Sequence, residues 1–176
     1  MQLPVVERQS IMKTIAQFSK DGKHRYSLKM VWDDQKPKAA IIMTYPSTAD
    51  EYTLDQTTML VKNNAILNEF GGITILNIFS LMNHEHPKSD RVNESVMVNV
   101  CNEADAIIVA YGRSMSHQER KQEVLNMLEG YKHKLFTIRD EKGRLFAHPL
   151  SPTAHRWNIV KYEPNVGSIS AEASRG

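Results

Sequence analysis

The chain has 176 residues, 41% of them hydrophobic, with a formal net charge of +2, one cysteine and a sequence pI near 8.6. That suits one compact domain around one core, and it falls short of the strong basic bias of many nucleic-acid binders, for which a domain pI above roughly 9 is usual. No apolar run approaches the roughly 18 residues that read as a bilayer span, the start of the chain carries no secretion pattern, and Cys101 alone can form neither an internal disulfide nor a cysteine metal cluster, so the expected setting is cytoplasmic.

Residues 10–20 place Ile11, Ile15 and Phe18 at helical spacing, which predicts a short amphipathic helix. Asp21-Gly22 is a turn. Residues 25–32 alternate Tyr26, Leu28, Met30 and Trp32, the periodicity of a strand. Residues 39–45 are a nearly continuous apolar run, as in a strand covered on both faces. Thr53 and Gln56 are spaced as a capping box. The helix that follows is expected to bury Met59, Leu60, Ile66, Leu67 and Phe70, with Gly71-Gly72 as its stop. A second buried strand covers 73–79, and a long polar loop covers 80–92. A further helix carries Val96, Met97, Val100, Cys101 and Ala104, and residues 106–111 are a third core strand closed by Gly112. Ser116 and Glu119 form another capping box, opening a helix with Val124, Leu125, Leu128 and Tyr131 facing in. Residues 134–138 are a fourth strand, and His148-Pro149-Leu150-Ser151-Pro152 is a rigid loop.

Strands alternating with helices predict a three-layer α/β/α sandwich with a mostly parallel central sheet. The expected organisation is an N-terminal helix and lead-in over 1–24, a single α/β domain over 25–162 and a flexible tail over 163–176.

Parallel strands would gather their C-terminal ends on one edge, where ligands of open α/β sheets sit. That edge collects Tyr45, Pro46 and Ser47, then Asn77, then Gly112 with its neighbours, then His148 before Pro149. Each has an ordinary reading too. Asn77 suits the satisfaction of a buried backbone group, Gly112 a plain turn, and His148 a packed loop histidine. Asp50 and Asp55 are the carboxylates nearest the first apolar strand. Either one can orient a water or bind a hydroxyl, or serve the helix start, where acids favour the dipole. His84-Glu85-His86 has the look of a metal-ligand pair, but no third ligand is obvious nearby, and His117 or His24 would have to approach from elsewhere in the chain, so it reads as a polar surface or a ligand-contacting flap. No metal is expected. No phosphate-binding glycine pattern, Gly-x-Ser-x-Gly elbow or dinucleotide fingerprint is present, so no cofactor is expected either.

The ordered set Arg25-Tyr26-x-Leu28, Trp32, Ile42-Met43, Pro46-Ser47-Thr48-Ala49-Asp50, Asp55-x-Thr57, Asn77-x-Phe79, Tyr111-Gly112 and His148-Pro149-Leu150 resembles an uncharacterised bacterial and phage domain family. The central motif of that family usually reads Asn-Pro-Ser-Thr-Ala-Asp. The resemblance covers about residues 25–152 and implies no function. More distantly, Tyr45-Pro46 and His148-Pro149-Leu150-Ser151-Pro152 resemble the first and last motifs of the uracil-DNA glycosylase superfamily, which are α/β/α sandwiches. That resemblance implies that His148 stabilises the charge growing on a leaving base, that Asn77 reads the base edge, and that Phe79 or Tyr45 stacks on the base. Tyr45 stands where the superfamily carries a water-positioning Asp or Asn, and a phenol is a poor base at neutral pH. Asp50 or Asp55 takes over that role, or the chain binds without hydrolysing.

Three functions follow as expectations. The first is hydrolysis of an N-glycosidic bond, with His148, Asp50 and Asp55 as catalytic residues. The second is binding of a nucleobase, nucleotide or nucleic acid through Tyr45, Pro46, Ser47, Asn77, Phe79 and Gly112. The third is a protein-interaction factor of a phage or mobile element. No membrane partner is expected, a protein partner stays open, and oligomeric state is unreadable.

Overall fold

The computed structural model describes residues 4–83 and 87–163. The His84-Glu85-His86 segment and nearly all of the expected tail lie outside the described residues.

In chain order the elements are β1 (Lys13–Phe18), β2 (Arg25–Val31), β3 (Lys38–Met43), α1 (Gln56–Leu67), β4 (Gly72–Asn77), α2 (Arg91–Glu103), β5 (Ala106–Val109), α3 (Gln118–Met127), a 3-10 segment (Glu129–Lys134), β6 (Leu135–Arg139) and β7 (Asn158–Lys161). The strands form one sheet in the order β1-β2-β4-β3-β5-β6-β7. The chain is therefore mixed α/β. The inner strands β4, β3, β5 and β6 run parallel. The outer pairings β1/β2, β2/β4 and β6/β7 are antiparallel. The sheet is thus mixed and not mostly parallel. Helical crossovers enforce parallel pairing only where α1, α2 and α3 join successive strands.

The expected N-terminal helix is a strand. In β1 the half-buried Thr14 and Ala16 alternate with exposed Lys13, Ile15 and Gln17. Its backbone groups pair with β2 from Lys13↔Val31 to Phe18↔Arg25, across an irregularity at Gln17/Phe18. Tertiary pairing overrides the helical spacing of three apolar residues, and the sheet begins at Lys13, ahead of the expected domain boundary at residue 25.

Alternation along β3 supplies both sides of the sheet. Ala39, Ile41 and Met43 join one buried cluster, to which α1 adds Val61 and Ala65. Ala40 and Ile42 join the other, to which α2 and α3 add Met97, Cys101, Val124 and Leu125.

Helix α1 differs from expectation at both ends and in its buried face. Its N-cap is Asp55, whose carboxylate accepts from Thr58 N at 2.8 Å, and not a Thr53–Gln56 box. It buries Thr58, Val61, Asn64 and Ala65, while Met59, Ile66 and Leu67 are exposed. Asn64 adds a tether, donating to the carbonyl of His155 and accepting from Trp157 N. The helix ends at Leu67 with Asn68 as its C-cap, and Glu69 then turns the chain in the left-handed region at φ 63°, ahead of the glycines. Gly71 serves a close approach instead. A Cβ there would lie 2.0 Å from the Asp33 carbonyl oxygen, and its own carbonyl accepts from both Trp32 N and Asp33 N at 2.9 Å.

Among the described residues, no helix is long and apolar enough to cross a membrane.

Candidate functional site

Chain order fixes where a cleft opens. β3 leads through α1 to β4 on one side of it, and β4 leads through α2 to β5 on its other side. The direction of travel reverses between β3 and β5. Loops leaving two neighbouring parallel strands in opposite directions part at their C-terminal ends, the usual ligand position in open α/β sheets. A cavity of about 260 Å³ lies there, lined by Thr44, Tyr45, Ser114, Ser116, His117 and Lys121.

Tyr45 is the aromatic of this cavity. Its ring stacks on Phe79 at 5.5 Å between centroids, and the His117 ring meets both edge-on. The Tyr45 hydroxyl and His117 Nε2 share a hydrogen bond of 2.5 Å. Phe79 is 4% exposed and backs Tyr45 without lining the cavity. His117 is the N-cap position of α3, held in the left-handed region at φ 60°, and it makes no side-chain cap. The expected Ser116–Glu119 box is absent for that reason. Non-glycine residues in this region concentrate at functional sites, where the surrounding structure holds them.

One helical turn after His117, Lys121 is 4% exposed and donates to the Ser114 carbonyl at 2.6 Å. Its ammonium lies 5.1 Å from the centroid of the Tyr111 ring. Burial lowers its pKa from the ordinary lysine value. Thr44 Oγ1 donates to the Tyr111 carbonyl at 3.0 Å, tying the two loops together.

A second polar cluster lies at the same sheet edge, over β4. β2 runs antiparallel to β4, so its first residue, Arg25, reaches the C-terminal end of β4. Arg25 is 1% exposed. It donates to the carbonyls of Ser47 at 3.2 Å and Ala49 at 2.6 Å, and to Asn77 Oδ1 at 3.3 Å. It makes no ion pair among the described residues; burial brings its pKa down to about 10 against the opposing pull of Asp55 and Asp50. Arg25 thus pins the Pro46–Ala49 turn and fixes the Asn77 amide, with Nδ2 left without a partner among the described residues. Pro46 is buried in that turn.

Both aspartates do local work. Asp50 Oδ1 accepts from Tyr52 N, Thr53 N and Thr53 Oγ1, closing a tight turn, and the two backbone bonds lower its pKa. Burial opposes ionisation of Asp55, but hydrogen bonds from Thr58 N and the Ser47 hydroxyl keep its pKa below the usual carboxylate value.

His148 belongs to a third group. Gly112 adopts φ +80°, and a Cβ there would lie 3.3 Å from His148 Cβ. Glycine lets the post-β5 loop pass close over the histidine. His148 Nδ1 accepts from Leu150 N at 3.1 Å. A neutral imidazole that accepts at Nδ1 carries its proton on Nε2, and burial lowers the His148 pKa. Of the residues expected from sequence, only Tyr45 lines the cavity. Phe79 stands behind it, Ser47 and Asn77 meet through Arg25, and Gly112 meets His148. Among the described residues, no group of His, Cys, Asp and Glu is arranged to hold a metal.

Residues 25–150 match the family described as a protein of unknown function (DUF1643). The chain belongs to that family. The DUF1643 segment contains the whole parallel block, the cavity and every residue expected at the site, and it leaves β1 and β7 outside. No curated protein and no solved structure matches the chain.

Lys121 and Arg25 were not read as binding residues from sequence, and His117 only as a distant candidate third ligand for a metal. For Lys121 a signal existed. It lies one helical turn before Val124 and Leu125, and therefore on the buried face of α3.

Proposed function

We propose that this DUF1643 protein binds a nucleotide or nucleic acid in the crevice between the ends of β3 and β5, on a three-layer α/β/α frame of the uracil-DNA glycosylase kind. The observation that carries the reading is the 260 Å³ cavity at the chain-direction reversal, with Tyr45 and His117 in its lining. The frame is supported by the parallel order β4-β3-β5-β6, and by α1 on one buried cluster and α2 with α3 on the other. Nucleobases are planar and stack on aromatic rings, a contact worth about 1–3 kcal/mol per base. Calorimetric titration with nucleosides and short single-stranded DNA and RNA tests it. Tyr45→Leu, folded by circular dichroism, is expected to weaken binding at least tenfold. Absence of binding by the wild-type chain to every probe contradicts the reading.

Hydrolysis of an N-glycosidic bond is the second reading, favoured by one observation. His148 is built to stay neutral and to donate from Nε2, as needed to stabilise a base oxygen gaining negative charge. The attacking water lacks an evident partner, because Asp50 closes a turn and Asp55 caps α1. Binding without hydrolysis is therefore the better supported of the two. Free base released by the wild type and lost in His148→Ala would reverse that order.

A further inference from the structure

Helix α3 buries two adjacent cations, and the chain treats them differently. Arg120 is 7% exposed and is neutralised twice, by Glu94 at 2.8 Å and Glu123 at 2.9 Å. It also donates to the Ile78 carbonyl. Arg120 is an internal clamp between α2 and α3.

Lys121 is more deeply buried and has no acidic partner. Among the described residues it makes no ion pair, and its contacts are one carbonyl and one ring face. A buried charge left uncompensated is costly. An ammonium has three donor hydrogens, and the Ser114 carbonyl takes one of them. Lys121 also lines the cavity, beside Ser114, Ser116 and Thr44. The one acid in the first turn of α3, Glu119, is exposed and does not line it. No side chain caps the start of α3, so its first backbone N–H groups find no side-chain acceptor at the N-cap. At about 260 Å³ the cavity is smaller than the roughly 300–1,000 Å³ usual for a whole small-molecule ligand, so it fits one group of a larger molecule.

We infer that this cavity is an anion subsite, in which Lys121, Ser114 and Ser116 receive a phosphate of the bound nucleotide. The inference rests on the nucleotide reading above and adds which part of the ligand enters the cavity. The phosphate supplies the counter-charge that the chain withholds from Lys121, and the serine hydroxyls can donate to its remaining oxygens. Tyr45 and His117, which line the same cavity, then border the adjoining sugar or base.

Calorimetric titration of the full chain with the four common nucleosides, their 5′-monophosphates and inorganic phosphate tests this. The wild type is expected to bind at least one monophosphate ten or more times more tightly than its nucleoside. Lys121→Gln is expected to abolish that preference, and Lys121→Arg to retain part of it. Ser114→Asp places a carboxylate beside the ammonium at an exposed position, so it folds even if Lys121→Gln does not, and it is expected to abolish the preference too. Equal affinity for nucleoside and monophosphate overturns the inference while leaving the base reading intact. A folded Lys121→Gln or Ser114→Asp chain that keeps the preference also overturns it. Inorganic phosphate binding that depends on Lys121, with no nucleoside effect on any affinity, upholds the subsite and removes the base reading. No binding of any phosphate probe overturns the inference.

Discussion

Gly112 shows how much one residue carries at this edge. Its φ of +80° strains any L side chain, and His148 Cβ would meet an added methyl at 3.3 Å. Gly112→Ala is expected to cost about 1–2 kcal/mol, the usual scale of left-handed strain, and to displace the His148 ring; urea titration and the His148 imidazole shifts in NMR check both. His148 also gives the fold a pH dependence. Burial holds its pKa below the ordinary value of about 6.5, so on acidification the unfolded chain takes up this proton before the folded one. The stability due to neutral His148 is complete above about pH 6.5 and is lost as pH falls towards the folded pKa. His148→Gln is expected to flatten the loss of urea midpoint between about pH 7 and pH 5 relative to wild type; an unchanged slope would contradict this. From sequence, Gly112 and His148 were visible as punctuation and chemistry, but their contact was not, because thirty-six residues separate them. Arg25 was hidden for a different reason. A charged residue opening an alternating strand reads as solvated, and only the antiparallel placement of β2 beside β4 carries it to the buried end of the site.

Elements with a strong side-chain pattern of their own were the most legible. The apolar runs of β3, β4 and β5 appear where periodicity places them, within a residue or two. The buried positions Met97 and Cys101 of α2, and Val124 and Leu125 of α3, were legible in the same way. β1 was misread because an edge strand gains its backbone partners from β2, which its own side-chain spacing does not reveal. β7 was missed because four residues, Asn158-Ile159-Val160-Lys161, are too few to show a period. Helix ends were misassigned because several polar residues compete for the cap. At α1, Asp55 takes it. Asp55→Ala is therefore expected to cost about 1 kcal/mol, within the roughly 0.5–2 kcal/mol range of such caps, while Thr53→Ala loses only its hydrogen bond to Asp50. Thermal unfolding of the two variants distinguishes the assignments; equal destabilisation would mean that Asp55 does not cap the helix.

At the scale of the whole molecule, the parallel centre follows from alternating strands and helices, while the antiparallel flanks do not. The crossover rule governs only strands joined by helices, and β1, β2 and β7 enter the sheet by other routes. The expectation that several loops share one edge therefore holds for the block β4-β3-β5-β6. Within that edge the residues divide into three groups: the Tyr45–His117–Lys121 cavity, the Arg25–Ser47–Asn77 cluster and the Gly112–His148 pair. The most direct measurement is a crystal structure of the chain soaked with a nucleoside 5′-monophosphate. The account predicts ordered density at the reversal between β3 and β5, with the phosphate at Lys121 and the remainder of the ligand against Tyr45. A ligand ordered elsewhere on the molecule, with the Tyr45–Lys121 cavity holding solvent alone, would contradict it.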